Sequence, residues 1–227
     1  LPDRAPPSIR MQTRPAYDYW LLDLDGTLVD TEWAYVRETF DRVEERLGVT
    51  FSDRQAEVLW HGLGGDRNDS LRAWGYDPET FWPVFDEIDD ATARAEATYL
   101  YDDASFVAAL DGPVGLVTHC PAPITDVVLD RLDVRDWFDV VLPCDEETGF
   151  KPDPEPLHLA RADLGVDAAA NGVYAGDGTS DVDAAANAGL DSVHVERHDP
   201  GRRGVCVLGD HRIESFHDLA GSPSGSD

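Results

Sequence analysis

Lysine is nearly missing from this sequence. Of its 18 basic residues, 17 are arginine and a single one, Lys151, is lysine. Basic residues are scarce altogether: 46 Asp and Glu stand against those 18, for a formal net charge of −28. That balance argues against nucleic acid as a partner, because phosphate backbones are drawn to basic patches. Long apolar runs are absent, with no stretch of 18 such residues to read as a transmembrane helix. No charged-then-apolar leader opens the chain, so the expected location is the cytoplasm. Cysteine is sparse: Cys120, Cys144 and Cys206 lie far apart without a C-x-x-C, which excludes a disulfide framework and a structural zinc site and predicts reduced thiols. Methionine occurs once, and Met11 marks a candidate true start with residues 1–10 as an extension ahead of it.

What is present is acid and alanine. A chain this negative repels itself at low ionic strength, and salt relieves the repulsion as the Debye length falls to about 3 Å near 1 M. The composition resembles that of proteins from salt-accumulating halophiles; an ordinary acidic cytosolic protein is the alternative. Hydrophobic content of 42% over 227 residues supplies a sizeable core, in one large domain or a domain with an insertion.

Five short apolar runs read as strands: Tyr19–Leu22, Val114–Val117, Val140–Leu142, Val173–Ala175 and Ser192–Val195. Helical patterns separate the last four, which predicts parallel βαβ units. Those patterns cover Ile124–Leu132, Pro154–Leu164 with Asp153 as N-cap, and Asp181–Ala188; a shorter one covers Phe106–Leu110. Between the first two strands lie about eighty residues without a strand signal. Trp33–Leu47, Asp53–Trp60, Arg67–Trp74 and Pro78–Tyr101 read there as helices. The expectation is an α/β protein: a core over 17–29 and 102–220, an all-helical cap inserted over 30–101, a loose arm over 1–16 and a disordered polar tail over 221–227.

Four segments carry chemistry. The first strand runs into D-L-D-G-T-L-V-D, Asp23 to Asp30, where Asp23 and Asp25 share a face if the strand continues. Paired carboxylates are costly together unless a cation or substrate requires them, although an acidic turn capping a strand is the plain reading. The second is Val114–Thr118, an apolar strand ending in a hydroxyl. The third is K-P-D-P, in which Pro152 biases Lys151 toward extended backbone. A position that stays Lys in so arginine-rich a chain needs a compact ammonium rather than a planar fork. The fourth is G-D-G-T-S-D-V-D-A-A-A-N-A-G, Gly176 to Gly189, with Asp177 after a strand and Asp181 entering a helix.

In this order the four segments resemble the haloacid dehalogenase-like hydrolase superfamily, in its phosphoglycolate phosphatase and β-phosphoglucomutase-like branch, over roughly Tyr17 to Ala220. The resemblance implies a Rossmann-like three-layer core with a parallel sheet and a helical cap. It implies Asp23 as nucleophile forming an aspartyl-phosphate, Asp25 as general acid and base, and Thr118 and Lys151 on the phosphoryl oxygens. It implies Mg²⁺ held by Asp23, the Asp25 carbonyl and Asp177, with Asp181 holding a metal-bound water. Gly26 and Thr27 fall in its substrate pocket. Asp25 favours phosphoryl over carbon–halogen chemistry, and Gly176 favours phosphatase over phosphomutase. Gly178 stands where Ser is usual and His119 where Asn is usual; His119 reads as a substrate contact or as a loop histidine. Gly64 to Leu71 resembles the branch's cap loop, making Arg67 a candidate anchor for a second anionic group, with a plain surface arginine as the alternative. Trp33, Trp60, His61, Trp74 and Trp82 read as pocket wall or as cap interior.

The implied function is a Mg²⁺-dependent phosphatase of a small phosphorylated metabolite such as phosphoglycolate or a sugar phosphate, acting without membrane or nucleic acid as a monomer or homodimer. A sugar phosphomutase and a non-catalytic metal-dependent binding protein are the alternatives.

Overall fold

The computed structural model describes residues 17–220; the arm expected over 1–16 and the tail expected over 221–227 lie outside the described residues. The first strand, β1 (Tyr19–Leu22), is buried along its whole length. Trp20 and Leu22 enter one apolar cluster while Tyr19 and Leu21 enter another, because successive strand residues face opposite sides. A strand covered on both faces is the central element of a three-layer sandwich.

A short strand, β2 (Val29–Thr31), follows, and then five helices: α1 (Trp33–Leu47), α2 (Asp53–Trp60), α3 (Arg67–Ala73), α4 (Pro78–Ile88) and α5 (Ala91–Ala97). α1 buries Val36, Thr39, Phe40 and Val43, one stripe at helical spacing, and stops at Gly48 in left-handed backbone. α2 opens with a reciprocal cap in which Ser52 and Gln55 each accept the other's backbone N–H. The apolar faces meet in a third cluster built on Phe40, Phe51, Leu59, Trp60 and Phe81. Trp74 and Trp82 pack against it, and Trp33 is exposed.

The stretch expected to lack strands contains two. β3 (Thr98–Leu100) pairs antiparallel with β2, placing Asp30 opposite Tyr99. Three residues are too few to display alternation, which is why this ribbon was illegible in the sequence. It holds the entry and exit of the helical unit side by side.

The core resumes with a 3₁₀ turn over Ala104–Ala109. It continues through β4 (Val114–Thr118), α6 (Ala122–Leu132), β5 (Val140–Pro143), α7 (Glu155–Asp163), β6 (Gly172–Gly176), α8 (Thr179–Ala188), β7 (Asp191–Val195), α9 (Pro200–Arg203) and β8 (His211–Ile213). α7 starts a residue later than expected: its N-cap is Pro154, and Asp153 accepts the Glu155 N–H from outside. Among the described residues the main sheet has the order β5-β4-β1-β6-β7-β8, with every pairing parallel. Ile124 and Val128 of α6 cover one face, and Leu157 of α7 with Ala184 of α8 covers the other. The architecture is thus α/β and Rossmann-like, with a helical unit inserted after β1. Strand order turns at β1, and the strand C-termini there open the crevice in which such sheets hold ligands. All three cysteines are free, with Cys206 exposed. No helix among the described residues is long and apolar enough to cross a membrane.

Candidate active site

Two strands, one helix and one loop deliver polar side chains to a single point. Asp23 follows β1, Asp177 follows β6, Asp181 lies in the first turn of α8, and Lys151 comes from the loop after β5; all four are buried. Lys151 Nζ donates to Asp23 Oδ1 at 2.8 Å, to Asp181 Oδ1 at 2.7 Å and to Tyr174 Oη at 2.9 Å. Three donors meet three acceptors, the coordination a tetrahedral ammonium offers and a guanidinium does not. Tyr174 in turn donates to the Val117 carbonyl at 2.9 Å. Lys151 lies in a turn rather than in the extended segment expected, and its peptide bond to Pro152 is cis.

Asp23, Asp177 and Asp181 each offer an oxygen within 4.8 Å of the others. Burial pushes the Asp23 carboxyl up to about 7, with Lys151 opposing and Asp181 adding to the rise. Burial and the same acidic neighbours push Asp177 well above the usual carboxylate range. Burial also works against charge on Asp181, but Lys151 and the Gly178 N–H outweigh it and hold that carboxyl low. Burial works against charge on Lys151 as well, and Asp181 and Asp23 outweigh it, so the ammonium stays charged.

Asp177 Oδ2 is buried and has no hydrogen-bond partner among the described residues. Gly26, at φ 76°, keeps the backbone close to it: a Cβ there would lie 2.8 Å from the Asp177 carboxylate. Three converging carboxylates, one with an unused oxygen, form a hard oxygen donor set that suits Mg²⁺. Thr27 is buried with its hydroxyl 3.4 Å from Asp23 Oδ2. Its carbonyl accepts from Arg197 at 2.8 Å, and Arg197 is clamped by both oxygens of Asp103, which fixes the turn after Asp25.

Asp25 stands apart from the carboxylate triad. Its Oδ1 accepts from Arg94 Nη2 at 2.8 Å, and Arg94 Nη1 donates to Asp89 at 2.8 Å. Arg94 is buried in α5 with its guanidinium 4.2 Å from the centre of the Trp60 ring. Nothing in A-T-A-R-A-E-A marked that arginine as a partner of Asp25. Thr118 is buried at the end of β4, where its Oγ1 accepts the Cys120 N–H. His119 Nε2 is buried without a hydrogen-bond partner among the described residues, and burial with nearby Lys151 and Arg67 pushes its imidazole down to about 3. Arg67 begins α3, and its Nη2 donates to the Trp60 carbonyl at 3.2 Å; Asp177 is its strongest opposite charge. His61, from the end of α2, meets His198 of the core with ring centres 4.5 Å apart.

A further arginine escaped the sequence reading. Arg203, at the end of α9, is fully buried; its Nε donates to Glu196 at 3.0 Å and its Nη2 lies 3.9 Å from Asp177 Oδ2. G-R-R-G gives no sequence signal for that placement. Tyr174 did leave one, since a hydroxyl in a strand buried on both faces needs a partner.

Comparison with known proteins agrees with this geometry. Residues 17–189 match the family described as haloacid dehalogenase-like hydrolase. Phosphoglycolate phosphatase of Escherichia coli K12 is 28% identical over 199 residues, covering 75% of this chain and 78% of that one. The enzyme of the same name from Yersinia pseudotuberculosis is 29% identical over 182 residues, covering 74% and 75%. A solved structure from Lactobacillus plantarum, provisionally named phosphoglycolate phosphatase, superposes with a TM-score of 0.75 at 23% identity, covering 90% of this chain and 98% of that one. Family match, shared fold and convergence of the four segments together show that this chain belongs to the haloacid dehalogenase-like hydrolases, beside their phosphoglycolate phosphatase-like members.

Proposed function

We propose that the protein is a Mg²⁺-dependent phosphatase of a small phosphate ester, phosphoglycolate or a compact sugar phosphate. One observation carries the reading. A buried lysine binds two carboxylates at the C-terminal mouth of a parallel sheet while a third carboxylate keeps an oxygen free. Such an arrangement is expensive in an empty protein interior and useful where a phosphoryl dianion must be met.

Asp23 Oδ attacks phosphorus, and the bond from phosphorus to the ester oxygen breaks. Asp25 gives its proton to the departing oxygen. Asp25 then takes a proton from water, whose oxygen attacks the same phosphorus; the bond to Asp23 breaks and phosphate leaves. Lys151 holds Asp23 in position and, with Thr118, faces the phosphoryl oxygens. Asp23, Asp177 and the Asp25 carbonyl would hold Mg²⁺, with Asp181 on a metal-bound water, and the ion would supply charge neutralisation there. Arg94 orients Asp25 from the helical unit. We infer that residues 30–101 act as a cap over a core of 17–29 and 102–220. The Arg94–Asp25 pair, the Glu57–Arg202 pair and the His61–His198 contact all cross between the two.

The test is phosphate release from a panel of metabolite esters with Mg²⁺ in molar KCl. The expected result is turnover in wild type and none in Asp23→Asn. Formation of an isomeric sugar phosphate instead of free phosphate would show a mutase. The net charge of −28 predicts a fold that loses stability as KCl is lowered from molar to millimolar. Equal melting temperatures across that range would exclude the halophilic reading.

A further inference from the structure

Arg203 presents an unusual account of donors. A guanidinium has five N–H groups. Here one, on Nε, goes to Glu196, while Nη1 and Nη2 are buried without a hydrogen-bond partner among the described residues. Asp177, 3.9 Å from Nη2, lies beyond hydrogen-bond length. Four N–H groups left unpaired in a side chain 1% exposed are costly, and their position beside the carboxylate triad says what pairs them. His198 Nε2 is likewise buried and unpartnered, within charge range of Arg203. Arg67, from α3, also feels the charge of Asp177.

We propose, on the phosphatase reading above, that Arg203 is a substrate-specificity residue: its Nη1–Nη2 edge binds a carboxylate carried by the ester, making this core arginine the sensor of a short phospho-carboxylate substrate. The Nη edge presents two parallel N–H groups, the geometry that matches a carboxylate bidentately. Size follows from distance. On the phosphatase reading phosphorus meets Asp23, whose carboxylate oxygen lies within 4.8 Å of one from Asp177, and Arg203 lies 3.9 Å from Asp177. A second anion within a hydrogen bond of Arg203, about 3 Å, is then only a few bonds from phosphorus, so a backbone of two or three carbons fits. Glu196 keeps Arg212 at 3.0 Å when Arg203 is replaced, whereas Asp177 loses the cation 3.9 Å away, an effect that the Mg²⁺ measurement reads.

The experiment compares 2-phosphoglycolate with ethyl phosphate, which has the same chain length without the carboxylate, in wild type, Arg203→Met and Arg203→Lys. The measured quantity is the ratio of kcat/KM for the two esters, with the Mg²⁺ dissociation constant read by calorimetry. Wild type is expected to favour 2-phosphoglycolate. Arg203→Met should reduce that ratio about 10- to 100-fold, the loss of a charge-assisted hydrogen-bonded pair, and Arg203→Lys should restore part of it. A wild type without preference, or a Met variant that loses both esters equally while its Mg²⁺ affinity shifts, overturns the proposal and makes Arg203 a partner of Asp177. If Arg203→Met does not fold, an unchanged ratio in Arg203→Lys overturns it instead. If wild type turns over neither ester, the phosphatase reading has failed. Calorimetric binding of the two esters then decides this proposal separately, with equal affinities overturning it.

Discussion

Replacing Asp23 by Asn should make the metal-free protein more stable while abolishing its activity. Asp23 is 6% exposed and lies within a carboxylate cluster, with its pKa raised from 3.8 to about 7. A carboxyl raised in the folded state binds its proton more tightly there than in the unfolded chain. Its contribution to stability is therefore full below pH 3.8 and is lost as pH rises through about 7. Three pH units at 1.36 kcal/mol each give a loss of at most roughly 4 kcal/mol. Asn carries no charge, and its oxygen can still accept from Lys151, so the variant escapes that loss. Asp177, raised partly by Asp23, adds in the same direction. For a chain of this size the gain corresponds to roughly 8–16 °C in Tm. The assay is thermal melting by circular dichroism in about 3 M KCl, where the Debye length falls below about 3 Å, with EDTA, at pH 5 and pH 8. Asn should melt higher than wild type at pH 8, with less than half the gap at pH 5. Saturating Mg²⁺ should narrow or reverse the order, because the ion binds the folded wild type better than the variant. An Asn variant that melts at or below wild type in EDTA at pH 8, or a gap unchanged between the two pH values, refutes the idea that the site stores unfavourable charge for a metal to relieve.

Three other substitutions probe separate contacts. Arg94→Met removes the 2.8 Å partner of Asp25 and should lower kcat about 10- to 100-fold; steady-state kinetics with wild-type values would disconnect the helical unit from the acid–base step. Tyr174→Phe deletes one hydroxyl from the Lys151 cage without changing volume, so kcat should drop about tenfold with KM nearly constant, and stability by about 1–2 kcal/mol in urea melts. Gly26→Ala places a Cβ 2.8 Å from the Asp177 carboxylate in left-handed backbone and should weaken Mg²⁺ binding at least tenfold by calorimetry; unchanged affinity would show that Asp177 is not a ligand.

The sequence by itself determined what local chemistry can determine. Apolar runs of three or four residues specified five of the six strands of the main sheet, since a strand buried on both faces must be apolar throughout. Caps at Ser52 and Gly48 and the stripe along α1 specified helix ends and faces from neighbours within a turn. The order of D-L-D-G-T, Thr118, K-P-D-P and G-D-G-T-S-D was enough to nominate Asp23, Lys151, Asp177 and Asp181 as one cluster, and a lone lysine among arginines pointed to its centre. Tertiary structure decided the rest, because it depends on contacts across long stretches of chain. Asp25 meets Arg94 across 69 residues, Thr27 meets Arg197 across 170, and Arg203 reaches Asp177 from beyond β7. A buried arginine and a surface arginine are the same letter; only the folded chain shows which of them has lost its water and must find its partners inside.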